Sequence, residues 1–337
     1  MNTLTTTAVY AGKIHISYGL MICIAALFAS WMLTCALAYS KELRQVERVG
    51  TAFGLILYLP LEILAGAGLG RFIYWYSHFE SYSGLAGAFS VPEGAFHEAG
   101  IVIGAFIAAG FCALFSGRKM YSKFVSAAAS GTMLFMTLVS LIALFNDTDR
   151  GKAVIEDPEY FGLPFSILTG SGQDAVYRPA VFFWKFIILS VIAVISISLC
   201  IAGRKALLSY VAYFAAMAVL DSARYDASFL RSNGFVSLMQ VVSGVFMILA
   251  FLYCLIRAAR SRGFKFWHFL YILAFLSGLG LTGYMEYYVQ RHGDLYIYCY
   301  VIMSAACFVM AATIWRLDHE YRRAELLKDK HVSHRRK

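Results

Sequence analysis

Charge is what this chain has least of. Lys, Arg, Asp and Glu together make up 15% of its 337 residues, while 60% are hydrophobic; soluble domains carry roughly 25% charged residues. That balance excludes an ordinary soluble enzyme. Strand-type alternation of apolar and polar residues is missing as well, which argues against a membrane β-barrel. There is no Cys-x-x-Cys pair, no nucleotide-binding loop and no zinc motif, so no metal or other cofactor is expected. The seven cysteines (Cys23, Cys35, Cys112, Cys200, Cys254, Cys299 and Cys307) all fall inside apolar runs and read as small buried hydrophobes rather than disulfide partners.

What the chain does have is apolar runs of about 17–25 residues, the length at which a helix crosses about 30 Å of hydrocarbon. Nine are expected, near 17–39, 51–75, 99–116, 123–145, 180–202, 206–220, 234–256, 266–286 and 295–315. The fold class is therefore all-α, a polytopic helical membrane protein. Only Lys13 precedes the first run, which does not match a cleaved signal peptide. The net charge of +9 comes from basic residues that favour alternate loops. Twenty of the 29 lie on one set of connections and the tail, and seven on the other. The positive-inside rule then places the N-terminus outside and the C-terminus in the cytoplasm. The basic tail from His319 reads as a solvated helix end near anionic head groups, not as a nucleic-acid site.

Ionisable residues at the edge of hydrocarbon are costly to desolvate, so they are the natural place to look for function. The clearest case is Glu93-Gly-Ala-Phe-His97-Glu98, which runs straight into the apolar stretch from Ile101. The connection at 146–179 is the longest and holds Asn146, Asp147, Asp149, Arg150 and Arg178. Asp221 and Arg224 stand three apart, so on one helix they would share a face. Within the spans, Arg71 and Lys185 are long enough to snorkel to the interface. Glu62 is not, and Pro60 beside it frees backbone groups that can host a polar partner. The Ala65-Gly66-Ala67-Gly68-Leu69-Gly70 series and Gly100-xxx-Gly104 permit close helix packing.

Several of these segments, in order, resemble the prolipoprotein diacylglyceryl transferase family. Tyr18-Gly19-Leu20 is similar to that family's Tyr-Gly-Leu opening, and Gly66-Ala67-Gly68-Leu69-Gly70 to its Gly-Ala-Arg-Leu-Gly segment. Phe96-His97 followed by Gly100 and Gly104 resembles its Ser-Phe-His-Gly-Gly motif. Arg178-Pro179 stands where the family has His-Pro, and Asp221 to Asp226 with Gln240-Val-Val-Ser243 resembles its acidic helix end and later Gln-x-x-Ser. The resemblance covers about 14–250 and implies a seven-helix transferase-like core at 1–258, with two additional helices and the basic tail at 259–337. The pattern differs at Gly68, Ser140 and Met217, where arginines are expected, and at Glu98 and Ala99, which replace paired glycines.

The resemblance implies transfer of a diacylglyceryl group from phosphatidylglycerol to the lipobox cysteine thiol of prolipoproteins, in the plasma membrane of a bacterium. Phosphatidylglycerol and prolipoprotein signal peptides would be its partners. Such a reaction needs a base for the thiol and cations or oriented donors for a phosphate leaving group. His97 is the candidate base, Arg224 and Asp221 a catalytic pair, and Tyr18 a donor to the lipid head group. Arg71, Arg178, Arg231, Asn146 and Gln240 are the candidate lipid- or phosphate-binding residues. Two other readings remain open: a non-enzymatic relative that binds lipid or signal peptide, and a small-solute transporter in which Glu62, Arg71 and Lys185 line a pathway.

Overall fold

The computed structural model describes residues 7–11, 14–39, 45–79, 84, 87, 96–170, 175–203, 205–229, 234–292 and 295–335. Nine α-helices are found among them: α1 (Tyr18–Ala38), α2 (Gln45–Ser77), α3 (Glu98–Ala113), α4 (Tyr121–Val139), α5 (Val181–Ile201), α6 (Leu207–Ser222), α7 (Leu238–Arg262), α8 (Phe266–His292) and α9 (Tyr296–Arg335). A 3-10 turn, Ser140–Leu144, extends α4. Seven of the nine are long and apolar enough to cross a membrane, which makes this a multi-pass membrane protein. The other two, α3 and α6, have 16 residues each and span about 24 Å at 1.5 Å per residue.

Two short hairpins interrupt the helices. β1 (Thr7–Ala11) pairs antiparallel with β2 (Ile14–Ser17), and β3 (Ser166–Thr169) pairs antiparallel with β4 (Val176–Pro179). Among the described residues each sheet has two strands, and β4 is further bridged at Tyr177 to Ile155. The expected span at 295–315 does not stop there either: α9 runs on as one helix through the basic tail to Arg335.

The helices form two compact units. The first comprises 1–210 with 223–231, and the second 211–222 with 232–337. In the second, α7 packs with α9 and α8. That grouping begins before α7, whereas the family resemblance had placed the boundary at 259, because motif extent and packing are different criteria.

In the first unit the helices approach through small residues. α2 and α3 touch along Gly50, Gly54, Gly66, Gly70, Gly100 and Gly104. A Cβ added at Gly104 would lie 2.4 Å from the Ala65 carbonyl oxygen, and one at Gly100 2.5 Å from that of Leu69. The His97 N–H donates to the Gly70 carbonyl at 2.9 Å, pinning the start of α3 to α2. α4 is the central helix, buried at every position from Phe124 to Met133. Its Ser130 joins Ser196 of α5 at 3.0 Å, and Ser196 donates to Ser209 of α6 at 2.8 Å. Such hydroxyl pairs join helices where apolar packing alone gives little preference over lipid. On the remaining helices large apolar side chains such as Phe28, Met32, Ile56, Leu64, Val194 and Phe308 are exposed, as befits contact with acyl chains.

The Gly66–Gly70 series thus serves packing, but not at every position. A Cβ on Gly68 meets nothing within 4 Å. Gly104→Ala is expected to destabilise the protein by about 1–3 kcal/mol through overpacking. Gly68→Ala is expected to be neutral or slightly stabilising, since alanine is the better helix former. Thermal unfolding of the two variants in detergent checks the contrast.

Candidate functional site

The start of α3 is where the polar residues of the first unit converge. His97 is its N-cap: Nδ1 accepts from the Ala99 N–H at 3.3 Å. Glu98 follows as the first helical residue, where a negative charge suits the positive end of the helix dipole. Lys185, one turn into α5, reaches the same place. Only 1% exposed, its ammonium donates to Glu98 and, at 2.8 Å, to Asp149. The snorkelling expected of Lys185 does not occur. Two carboxylates on other segments hold its charge inside the protein.

Asp149 belongs to the connection after α4, in an unusual backbone state. Its φ is +55°, a left-handed conformation that Asp tolerates better than most residues. Its N–H donates to Asp226 at 3.2 Å and its carbonyl accepts from the Phe182 N–H at 3.0 Å. Its second carboxylate oxygen lies 2.7 Å from Arg224 Nε, as an ion pair. Burial alone would push this carboxyl up, but Arg224 and then Lys185 outweigh it and hold the pKa at about 2.

Arg224 is placed by backbone pairing. α6 ends at Ser222, so Arg224 has left the helix and forms an isolated bridge with Gly151. Asp221 and Arg224 therefore do not share a helix face as their spacing predicted. The Arg224 guanidinium grips Asp226 through Nε at 3.2 Å and Nη2 at 3.0 Å, and Nη1 stands 3.7 Å from Glu98. The segment 151–155 is tied on its other edge to β4, by Gly151 N–H to Pro179 at 2.8 Å and Ile155 N–H to Tyr177 at 2.8 Å.

Arg150 completes the cluster. It is 2% exposed, lies over the Phe182 ring at 4.7 Å, and donates from Nη2 to the Ala143 and Asn146 carbonyls at 2.8 and 2.7 Å. Its Nε and Nη1 make no hydrogen bond. Two cations, Lys185 and Arg224, thus meet three carboxylates, Glu98, Asp149 and Asp226, and the Arg150 guanidinium stands beside them in the field of Asp147, Asp149 and Asp226.

His97 feels this group. Its pKa falls to about 4, first through burial and then through the positive charges of Arg224, His78 and Lys185. The ring is therefore neutral at pH 7. With Nδ1 accepting from Ala99, the hydrogen-bond network assigns the proton to Nε2. His97 accordingly presents a donor at Nε2; the base role expected of it requires the opposite tautomer.

The other sequence candidates are dispersed. Arg178 on β4 donates to the Gly151 and Lys152 carbonyls at 3.3 and 2.8 Å and lies over the Tyr225 ring at 4.8 Å. No ion pair with a carboxylate is found for it among the described residues. Arg71 lies over Phe96 at 5.4 Å. Tyr18 stacks on Phe145 at 4.9 Å, half-exposed at the start of α1. The Asn146 side chain is taken up by a local turn, accepting from the N–H and hydroxyl of Thr148 at 3.2 and 2.5 Å.

Asp221 and Gln240 belong to the second unit. There Asp221 accepts from the Ser237 hydroxyl. Gln240 forms a capping box with Ser237, and its amide donates to Ala218 at 3.2 Å and Glu286 at 2.8 Å. Both of its donors are engaged, so Gln240 is a structural residue and not a phosphate ligand. Arg231 and Glu93 lie outside the described residues. Sequence reasoning left out Glu98, Asp149, Arg150 and Asp226 as site residues. The Asp149–Arg150 pair in a long polar loop and a glutamate at the first position of an apolar helix were the available signals.

No protein-family profile matches this chain, and no curated protein is significantly similar to it. Among the described residues no group of three or more His, Cys, Asp or Glu side chains is placed to hold a metal.

Two outcomes follow. Lys185→Met should cost about 3–5 kcal/mol, because it removes the ammonium that Glu98 and Asp149 share and leaves Arg224 to face both carboxylates; unfolding in detergent measures it, and adding Glu98→Gln and Asp149→Asn should recover part of the loss. The second concerns pH. The unfolded chain protonates His97 near pH 6.5, the folded protein only near 4. The stability this contributes is complete above pH 6.5 and lost as pH falls to 4, by at most about 3 kcal/mol. Thermal unfolding across that window should be flatter for His97→Gln than for the wild type, while Asp149 acts only at lower pH.

Proposed function

We propose that this chain is a membrane-embedded transferase that moves a diacylglyceryl group from phosphatidylglycerol to the lipobox cysteine of a prolipoprotein, with its N-terminus outside and its C-terminus in the cytoplasm of a bacterium. The observation that carries the proposal is the placement of neutral His97 beside Arg224 and Lys185 at the start of α3. The ordered resemblance of five segments and the basic-residue asymmetry support it further. In the reaction sulfur bonds to the glycerol carbon, the bond from that carbon to the phosphate oxygen breaks, and the thiol proton is released overall to the departing glycerol phosphate.

Each residue then has a stated task. His97 Nε2–H donates to the phosphate oxygen on which charge grows, as oriented donors do in other transfer reactions. Arg178, held by carbonyls and a ring rather than a carboxylate, supplies the positive charge for the phosphate. Lys185 and Arg224 are already neutralised by Glu98, Asp149 and Asp226, so they position the helix ends and keep His97 uncharged. Tyr18 and Arg71 stand as lipid contacts.

One observation favours a second reading, transport of a small solute. Glu62 in the middle of α2 is 6% exposed beside the Tyr58 hydroxyl, and its Oε2 has no hydrogen-bond partner among the described residues. A buried carboxyl of this kind is common along ion and proton pathways. In that case Glu62→Gln abolishes uptake and His97→Ala does not.

Complementation of a conditional strain lacking its own diacylglyceryl transferase separates the two. Wild-type chain should restore growth and lipid labelling of a prolipoprotein. Stably inserted His97→Ala should not, and Arg178→Ala should label at least tenfold more slowly. Failure of a well-inserted wild-type chain would sink the transferase.

A further inference from the structure

The second unit contains a cavity of about 140 Å3 that the proposed transfer reaction does not use. Its walls are apolar, with Phe214, Met247, Leu279 and Met310 among them, and two glycines keep it open. A Cβ built on Gly244 or Gly283 meets no heavy atom within 4 Å. Two buried polar groups line this apolar space.

The first is Glu286, 2% exposed on α8. Its carboxylate accepts from the Ser222 hydroxyl, from Gln240 at 2.8 Å and from Gln290 at 2.7 Å. All three donors are neutral, and among the described residues no cation pairs with it. The donors fix the position of the oxygens but leave the charge uncompensated in a low-dielectric interior, where an isolated ion is most costly. The second is Ser243, 1% exposed, whose hydroxyl has no hydrogen-bond partner among the described residues. Its position one turn after Gln240 puts it on the same face of α7.

We propose that this cavity binds a small organic cation: a primary ammonium group on a compact apolar body. The ammonium would donate to Glu286 and to Ser243 Oγ, and the body would lie against Phe214, Met247, Leu279 and Met310. Charge complementarity selects a cation over an anion, and the apolar walls select a hydrocarbon body over a hydrated metal ion. Size sets the limit, since a cavity of about 150 Å3 accommodates benzene. The site is independent of His97 and Arg178.

The test uses the full chain in lipid nanodiscs, with empty nanodiscs subtracted, and ligand-observed NMR titration of benzylammonium, benzyl alcohol and toluene at pH 7. Benzylammonium should bind at least tenfold more tightly than benzyl alcohol. Glu286→Gln should lower benzylammonium affinity at least tenfold and change benzyl alcohol binding less than threefold. Gly244→Leu, which fills the cavity, should remove binding of both, with unfolding temperature confirming that the variant is folded. If Glu286→Gln does not fold, Ser243→Ala takes its place, with a several-fold loss expected for the ammonium probe. Equal affinity for the amine and the alcohol, binding of toluene alone, or amine binding that survives in folded Gly244→Leu overturns the proposal.

Discussion

A single ammonium group fastens the first unit together. Lys185 enters from α5, meets Glu98 at the first residue of α3, and meets Asp149 in the loop beyond α4. Moving those three charges out of water is expensive, and their mutual attraction offsets the cost only while the geometry holds. That requirement explains features that are otherwise costly. Asp149 accepts a left-handed backbone, Arg224 leaves its helix to pair with Gly151, and α3 presses on α2 through glycines that tolerate no side chain. Each of these brings one charged residue to its partner.

The same arrangement changes what His97 is. In water a histidine titrates near neutrality and is a ready base. Here burial and the adjacent cations keep it neutral, while the Ala99 N–H occupies Nδ1. The residue that looked like a proton acceptor becomes an oriented donor. A cluster of paired charges can thus tune a neighbouring ring through its field. Arg178 is the contrasting case, because its guanidinium is fixed by carbonyls and stacking and keeps its charge available.

The spans were largely legible in the sequence, because a long apolar run leaves a chain in lipid few choices besides a helix. α1, α5 and α8 begin within a residue of their expected starts. The site was less legible. His97, Arg224 and Arg178 were visible as polar residues at helix ends. The burial of Lys185 was not, since it depends on partners 87 and 36 residues away in the sequence. Gln240 misled for a different reason. Ser237-x-x-Gln240 is a capping-box pattern, and that local signal explains the glutamine better than a distant motif does. The backbone state of Asp149 left no trace in sequence at all.

The shortness of α3 has a consequence for the bilayer itself. A helix of about 24 Å is several ångströms shorter than an average hydrocarbon core. Where α3 crosses the bilayer, lipid next to it has to compress, at a cost of a fraction of a kcal/mol for each ångström of mismatch. The membrane around α3 is therefore expected to be dimpled. Head groups there would sink toward His97, and the protein as a whole would be drawn toward thinner or more compressible regions of the membrane.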